Sequence, residues 1–148
     1  MPRHSERRPV AYQPEQVFDL VADVDKYPQF LPWCVGARVR ARDQNEMVAD
    51  LTIGFKMFRE NFTSRVTLDR PGRIHVRYEN GPFKYLRNEW RFLPEVNGTL
   101  IDFYVDFEFR NKILDRTIGI VFSEAVRLMV SAFLRRADEI HGRAGEVR

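Results

Sequence analysis

The sequence has almost no cysteine, and it has no long apolar run. Cys34 is the only cysteine in 148 residues, so no disulfide can form within the chain, which favours a reducing compartment. No stretch approaches the roughly 18 apolar residues that a membrane-spanning helix needs. The first residues, MPRHSERR, lack the apolar centre of a secretory signal. We therefore expect a cytoplasmic protein, with at most peripheral contact with the inner membrane.

The residue types of common catalytic and metal sites are scarce as well. The 3 histidines, His4, His75 and His141, stand far apart in the sequence. There is no nucleophile motif and no glycine-rich phosphate loop, and the surroundings of Cys34 show no metal-ligand spacing. Cys34 itself suits a small buried group better than a nucleophile. The sequence thus predicts no catalytic residue, no metal ion and no cofactor.

Aromatic residues are abundant, and one short segment concentrates them. Phenylalanine alone occurs 12 times. Residues 23–34, DVDKYPQFLPWC, place four large apolar side chains around two prolines, which forbid a long continuing helix. A segment this apolar has to be covered by another part of the fold. Two interpretations stay open: a plug packed beneath the fold, or one wall of an apolar ligand cavity.

Hydrophobic periodicity divides the rest of the chain into elements. Residues 3–12 read as a polar first strand, and a short helix is expected over about residues 14–24, where apolar side chains recur at helical spacing. From residue 35 to residue 109 the period is two, which predicts six strands separated by short turns. A long helix follows, with Asn111 as its N-cap and Gly142 just beyond its C-terminus.

These elements predict one α+β domain over residues 1–148. Consecutive strands with short turns form an antiparallel meander, and with the first strand they make a seven-stranded sheet. We expect this sheet to curve around the long C-terminal helix, with short helices after strand 1 and space for a cavity between the layers. The other face of the sheet carries arginines and acids. We interpret it as a solvated face without DNA binding, since few aromatic residues stand there to stack on bases.

Three polar residues interrupt the apolar face of the predicted sheet. Glu60 and Ser64 do so on the strand that begins at Phe58, and Asn88 does so between Leu86 and Trp90. Buried polar groups need hydrogen-bond partners. They either form the polar end of a ligand pocket, or Glu60 pairs with an arginine near the rim, or the strand contains a bulge.

Several blocks of the chain resemble a known family. The most specific block is the Tyr-Pro-x-Phe-Leu-Pro-Trp-Cys run at residues 27–34, and residues 12–21, 81–86 and 129–137 support it. In these blocks the chain resembles the START-like (helix-grip) proteins, and in particular their coenzyme Q-binding branch, also described as oligoketide cyclase/lipid transport. The resemblance implies a helix-grip fold and a hydrophobic pocket for ubiquinone, in a carrier or chaperone that supports respiration. It also implies bacterial relatives that act as ribosome-association toxins, which bind the large subunit and block subunit joining.

We predict that the protein binds ubiquinone or a similar polyprenyl lipid without transforming it, with transient contact with a membrane surface. One alternative is a toxin-like protein that binds the large ribosomal subunit. The other is an aromatase/cyclase-like enzyme, for which Glu60 alone could supply acid–base chemistry. The predicted cavity has apolar and polar members: Phe30, Leu31, Trp33, Phe62, Trp90, Phe103, Val105, Phe107, Phe122, Met129 and Phe133, with Glu60, Ser64 and Asn88.

Overall fold

A computed structural model describes residues 3–55 and 57–142 of the protein. Its first strand, β1 (Arg3–Val10), is followed by helix α1 (Pro14–Ala22) and a 3-10 helix (Val24–Gln29). Six strands and a long helix come next: β2 (Cys34–Arg42), β3 (Glu46–Phe55), β4 (Phe58–Asp69), β5 (Arg73–Asn80), β6 (Phe83–Glu95), β7 (Gly98–Phe109) and α2 (Lys112–Ala137).

All seven strands form one antiparallel sheet in the order β1-β7-β6-β5-β4-β3-β2. The predicted α+β helix-grip fold, with its curved seven-stranded sheet, is therefore confirmed. β1 and β2 are the two edge strands, and α1 with the 3-10 helix carries the chain from one edge to the other. The apolar face of the sheet packs against α1 and α2, so the interior lies between the sheet and the helices.

Local sequence explains where the two α-helices begin. At α1, Pro14 takes the first helical position, and the backbone N–H of Gln13 donates to Gln16 Oε1 at 2.9 Å. At α2, Asn111 Oδ1 accepts hydrogen bonds from the backbone N–H groups of Ile113 and Leu114, at 2.9 and 3.0 Å. The predicted N-cap is thus confirmed, and it satisfies two N–H groups that have no partner within the helix.

Element ends differ from the predicted ones by a few residues. β1 stops at Val10, before Tyr12, and α1 stops at Ala22, because Asp23 has non-helical backbone angles of −84° and 64°. The 3-10 helix that follows contains Pro28. At the other end of the chain α2 does not run to a simple glycine stop; it passes into a π-helical turn, Asp138–Gly142.

Helix α2 is bent rather than straight. The segments Lys112–Phe122 and Glu124–His141 lie at 63° to one another. No single helix in the described part of the chain is long and apolar enough to cross a membrane, and only this bent pair passes by length and composition.

The interior is filled at one end of the molecule. Beneath α1, Phe18 packs edge-on against Phe92 with ring centroids 5.9 Å apart, and Phe92 and Leu31 are fully buried. This packing anchors α1 to the sheet, since buried aromatic pairs contribute more than their area alone. Part of the space between α2 and the sheet is not filled by side chains.

Candidate functional site

A cavity of about 280 Å³ lies between the concave face of the sheet and α2. Its wall is made by inward residues of β3 to β7, the buried side of α2 and the segment around Tyr27 and Trp33. Twelve of the predicted cavity residues do line it: Trp33, Phe62, Trp90, Phe103, Val105, Phe107, Phe122, Met129 and Phe133, with the polar Glu60, Ser64 and Asn88. This volume is close to the lower end of the roughly 300–1,000 Å³ typical of small-molecule sites.

Two predicted cavity residues lie elsewhere. Leu31 is 2% exposed and belongs to the filled core, outside the cavity wall. Phe30 packs edge-on against Tyr27 and Phe133, at centroid distances of 6.0 and 5.2 Å, and the guanidinium of Arg136 lies 5.4 Å from its ring centre. The aromatic segment therefore combines both interpretations, because Tyr27 and Trp33 form cavity wall while Leu31 is a plug.

The structure adds cavity residues that the sequence analysis missed, and Phe83 is one of them. Its ring contacts those of Phe62 and Phe107 and stacks on Phe109 at 4.5 Å. Strict alternation from Leu86 would not place residue 83 inward, but the pairing of β6 with β7 shifts between Phe83 and Tyr85. This irregularity turns Phe83 into the cavity. Two signals were available in the sequence: another phenylalanine in an aromatic-rich strand, and the position of Phe83 within the family-like block at residues 81–86.

Burial along β4 shows which end of the cavity is deep. On its inward side, Phe58 and Glu60 are half-buried, whereas Phe62, Ser64 and Val66 are buried. All five line the cavity. The cavity therefore opens toward the β3–β4 hairpin and closes toward the middle of the sheet.

The polar groups in the wall differ in how they are satisfied. Ser64 is 3% exposed, and its Oγ has no hydrogen-bond partner among the described residues. Asn88 Nδ2 donates to the carbonyl oxygen of Tyr104 at 2.9 Å. Glu60 forms no ion pair with any described residue, so the arginine pairing considered from the sequence is not observed there.

Two further groups near the cavity, the Tyr27 hydroxyl and the Cys34 thiol, are protonated and unreactive. The hydroxyl of Tyr27 donates to the carbonyl oxygen of Val21, and burial raises the pKa of Tyr27 far above its usual value. Burial likewise raises the pKa of the Cys34 thiol, which donates weakly to the Gly36 carbonyl oxygen at 3.4 Å. A protonated, buried thiol is a poor nucleophile.

The cavity holds little that could perform acid–base catalysis. Among the described residues that line it, Glu60 is the one carboxylate, and there is no histidine, lysine or arginine. The described residues also contain no group of histidine, cysteine and acidic side chains that could hold a metal ion. The wall is suited to binding a mostly apolar molecule that carries a few hydrogen-bond acceptors.

The outer face of the sheet carries ion pairs. Arg65 contacts Glu46 and Glu79 at 2.7 and 2.8 Å, and Glu89 is shared by Arg73 and Arg91 at 2.6 and 2.9 Å. These contacts support the interpretation of this face as a solvated surface. On the edge strand β2, by contrast, the exposed Arg38 and Arg42 form no ion pair with the described residues.

Residues 10–134 match the family described as polyketide cyclase / dehydrase and lipid transport. The chain belongs to this family. The resemblance to START-like proteins found in the sequence is thereby confirmed, and it extends over most of the described structure.

Individual relatives carry different names. The ribosome association toxin RatA of Rickettsia prowazekii is 40% identical over 133 residues, covering 87% of this chain and 91% of the relative. The mitochondrial coenzyme Q-binding protein COQ10 homolog B of Xenopus laevis is 32% identical, covering 95% of this chain and 59% of the relative. Relatives of these two kinds are not named as enzymes.

A solved structure shows the same fold. The Zhui aromatase/cyclase from Streptomyces sp. R1128 superposes with a TM-score of 0.83, covering 97% of each chain at 21% identity. At this identity the similarity concerns the fold, which hosts enzymes and non-enzymes alike.

Proposed function

We propose that the protein binds ubiquinone or a similar polyprenyl lipid in the cavity and releases it unchanged, as a carrier or chaperone that supports respiration. The observation that carries this proposal is an apolar cavity of about 280 Å³ with few polar groups in its wall. A polyprenyl quinone has the matching chemistry, since its tail is a hydrocarbon and its ring offers carbonyl acceptors. The relative named as a coenzyme Q-binding protein supports the same ligand class.

The energetics are sufficient for useful affinity. Burying one methylene group contributes about 0.8 kcal/mol, so a few prenyl units give micromolar binding after the cost of association. The wall chemistry favours binding without turnover, because Glu60 has no catalytic partner among the lining residues.

Two measurements test the carrier proposal. Mass spectrometry of organic extracts from the purified protein should detect a polyprenyl quinone. Titration with a short-tail ubiquinone should quench tryptophan fluorescence, because both Trp33 and Trp90 line the cavity. A protein that yields no quinone in extracts and shows no quenching would not be a quinone carrier.

A second function, association with the large ribosomal subunit, is favoured by a different observation. Relatives 35–40% identical to this chain are named ribosome association toxins. Arg38 and Arg42 on the exposed edge of β2 supply cations that could contact phosphates, as they form no ion pair with the described residues.

Co-sedimentation with purified large subunits at low salt tests this second function. We expect the double variant Arg38→Ala, Arg42→Ala to lose binding. The control double variant Arg73→Ala, Arg91→Ala removes the same charge from residues that are already paired with Glu89, and it should bind nearly normally. If the wild-type protein does not sediment with the subunit at low salt, this second function is wrong.

A further inference from the structure

The buried hydroxyl of Ser64 has no partner among the described residues, in a wall that is mostly apolar. Ser64 lies between Phe62 and Val66 on β4, faces Ala49 on β3 in the pairing register, and is 3% exposed. A buried hydroxyl without a hydrogen bond destabilises the folded protein, so such groups are rare unless something else satisfies them. Here the group lies on the wall of a cavity, where a bound molecule can supply the acceptor.

Asn88 supplies a second, oriented polar group on the same wall. It lies on β6 and pairs with Val76 of β5, which in turn pairs with Val66 of β4. On the inward side of β4, Val66 is the next residue after Ser64. Because the Tyr104 carbonyl oxygen can only accept, its hydrogen bond with Asn88 at 2.9 Å requires the Nδ2 end of the carboxamide to face Tyr104. That bond uses one of the two amide hydrogens and leaves the second hydrogen available for the ligand.

The charges of the wall restrict the ligand further. The described lining residues include no cation, and the half-buried Glu60 lies on the open side of Ser64. An anionic head group, such as that of a fatty acid or a phospholipid, would have to pass this carboxylate and then remain unpaired in an apolar cavity. Burial of an unpaired charge is strongly unfavourable.

We infer that Ser64 and Asn88 form a polar anchor for the uncharged, oxygen-bearing head of the ligand. The head enters the cavity first, and the apolar tail points toward the β3–β4 hairpin. This inference rests on the proposed carrier function and adds the orientation and the class of the ligand. Ser64 donates to a ring carbonyl oxygen at the deep end, and the free amide hydrogen of Asn88 makes a second contact. Neutral quinones and ketones fit this anchor, and fatty acids do not.

Binding to Ser64→Ala with three probes tests the anchor. The probes are a short-tail ubiquinone, an alkylbenzene of similar length without oxygen atoms, and a fatty acid. We expect the variant to bind the ubiquinone about tenfold more weakly, which corresponds to one hydrogen bond, and to bind the alkylbenzene as the wild type does. We expect the fatty acid to bind neither protein. In the absence of ligand, the variant should be at least as stable to urea as the wild type, because an unsatisfied polar group has been removed.

A matched control uses the other buried hydroxyl of the sheet. Thr99 is 0% exposed, and its hydroxyl donates to the Tyr12 carbonyl oxygen at 2.7 Å, outside the cavity wall. Thr99→Val should therefore lower stability and leave the affinity for ubiquinone unchanged. This opposite pattern separates loss of a ligand contact from general damage to the sheet.

The outcomes distinguish the anchor from the carrier function itself. If the wild type binds no ubiquinone, the carrier function fails and the anchor fails with it. If the wild type binds ubiquinone and Ser64→Ala binds it equally well, or if the fatty acid binds as tightly as the quinone, the carrier function stands and the anchor is wrong. Infrared spectroscopy of ubiquinone bound to the wild type gives a test that needs no variant. A hydrogen bond shifts the carbonyl stretch of the quinone to lower frequency. An unshifted carbonyl band overturns the inference.

Discussion

At the scale of single residues, Gly98 fixes the junction between β1 and β7. It begins β7 with a φ of +153°, and a Cβ added there would collide with the carbonyl oxygen of Val10 on β1. Neither the backbone angle nor the space admits a side chain. Gly72, in the turn before β5, shows no such constraint, because a Cβ added there would meet no atom within 4 Å among its described surroundings.

We therefore expect Gly98→Ala to lower the free energy of unfolding by at least about 2 kcal/mol, because the strained backbone and the collision add. Gly72→Ala should change it by less than about 0.5 kcal/mol. Urea denaturation followed by circular dichroism measures both. Equal stabilities for the two variants would mean that the β1–β7 junction can relax without cost.

The reactivity of Cys34 tests whether its thiol is buried and protonated. Its side chain is 3% exposed and burial raises the pKa of its thiol, so the reactive thiolate is scarce at neutral pH. We expect alkylation by iodoacetamide to be much slower in the native protein than in urea. Because the thiol pKa is raised, the rate in the native protein should keep rising with pH beyond about 8.5, the usual thiol pKa, instead of levelling off there. Fast alkylation of the native protein at pH 7 would instead indicate an accessible, activated thiol.

The limits of sequence reasoning are clearest at single residues. Alternation along β4 correctly placed Ser64 and Glu60 on the inward face, because a regular strand has a period of two. It failed at Phe83, where the shifted pairing of β6 with β7 changes the side of the sheet. It also could not show that Ser64 lacks a partner among the described residues, since that depends on what every neighbouring strand presents.

At the scale of elements, α2 combines core packing with cavity wall. Phe133 is 4% exposed and contacts the rings of Tyr27, Phe30 and Trp90 at 5.3, 5.2 and 5.2 Å. Met129, one turn earlier, is partly buried and lines the cavity. Helical spacing predicted that these two residues share a face, but only the structure shows that Phe133 is tightly surrounded.

These environments predict different effects of truncation. Phe133→Ala should lower the free energy of unfolding by about 3–5 kcal/mol, the usual cost of removing a packed phenylalanine. Met129→Ala should cost clearly less, because one side of Met129 already faces open space, and it should weaken ubiquinone binding more than it weakens folding. Urea unfolding and quinone titration on both variants provide the comparison. A large stability loss for Met129→Ala with unchanged affinity would remove Met129 from the binding site.

At the scale of the whole molecule, the fold could be predicted because its elements are regular. The two-residue period over six strands and the apolar stripe of α2 require one sheet face to pack on one helix. The bend of α2, with 63° between Lys112–Phe122 and Glu124–His141, could not be predicted. The cavity could be expected only in outline, because its volume depends on small differences between the space enclosed and the side chains that fill it.

A cavity that is filled by ligand should make the whole domain more stable. At a free ubiquinone concentration of about 100 times Kd, binding adds about 2.7 kcal/mol, which raises Tm by roughly 5–10 °C for a chain of this size. Differential scanning calorimetry with increasing quinone should show a Tm that keeps rising with concentration. The fatty acid serves as the control and should leave Tm unchanged. A Tm that is insensitive to quinone would argue against binding to the native state.

Surface charge determines how strongly the protein would bind a ribosome and how that binding depends on salt. The chain has 24 basic and 21 acidic residues, a formal net charge of +3, and many arginines of the outer face are paired with acids. Only unpaired cations release counterions from phosphates when they bind.

If Arg38 and Arg42 make the contact, the logarithm of the affinity for the large subunit should fall with the logarithm of salt concentration with a slope of about −1.5. Sedimentation at several salt concentrations measures this slope, and each single variant, Arg38→Ala or Arg42→Ala, should reduce it by about half. A steep slope that neither single variant changes would place the ribosome contact on a different surface.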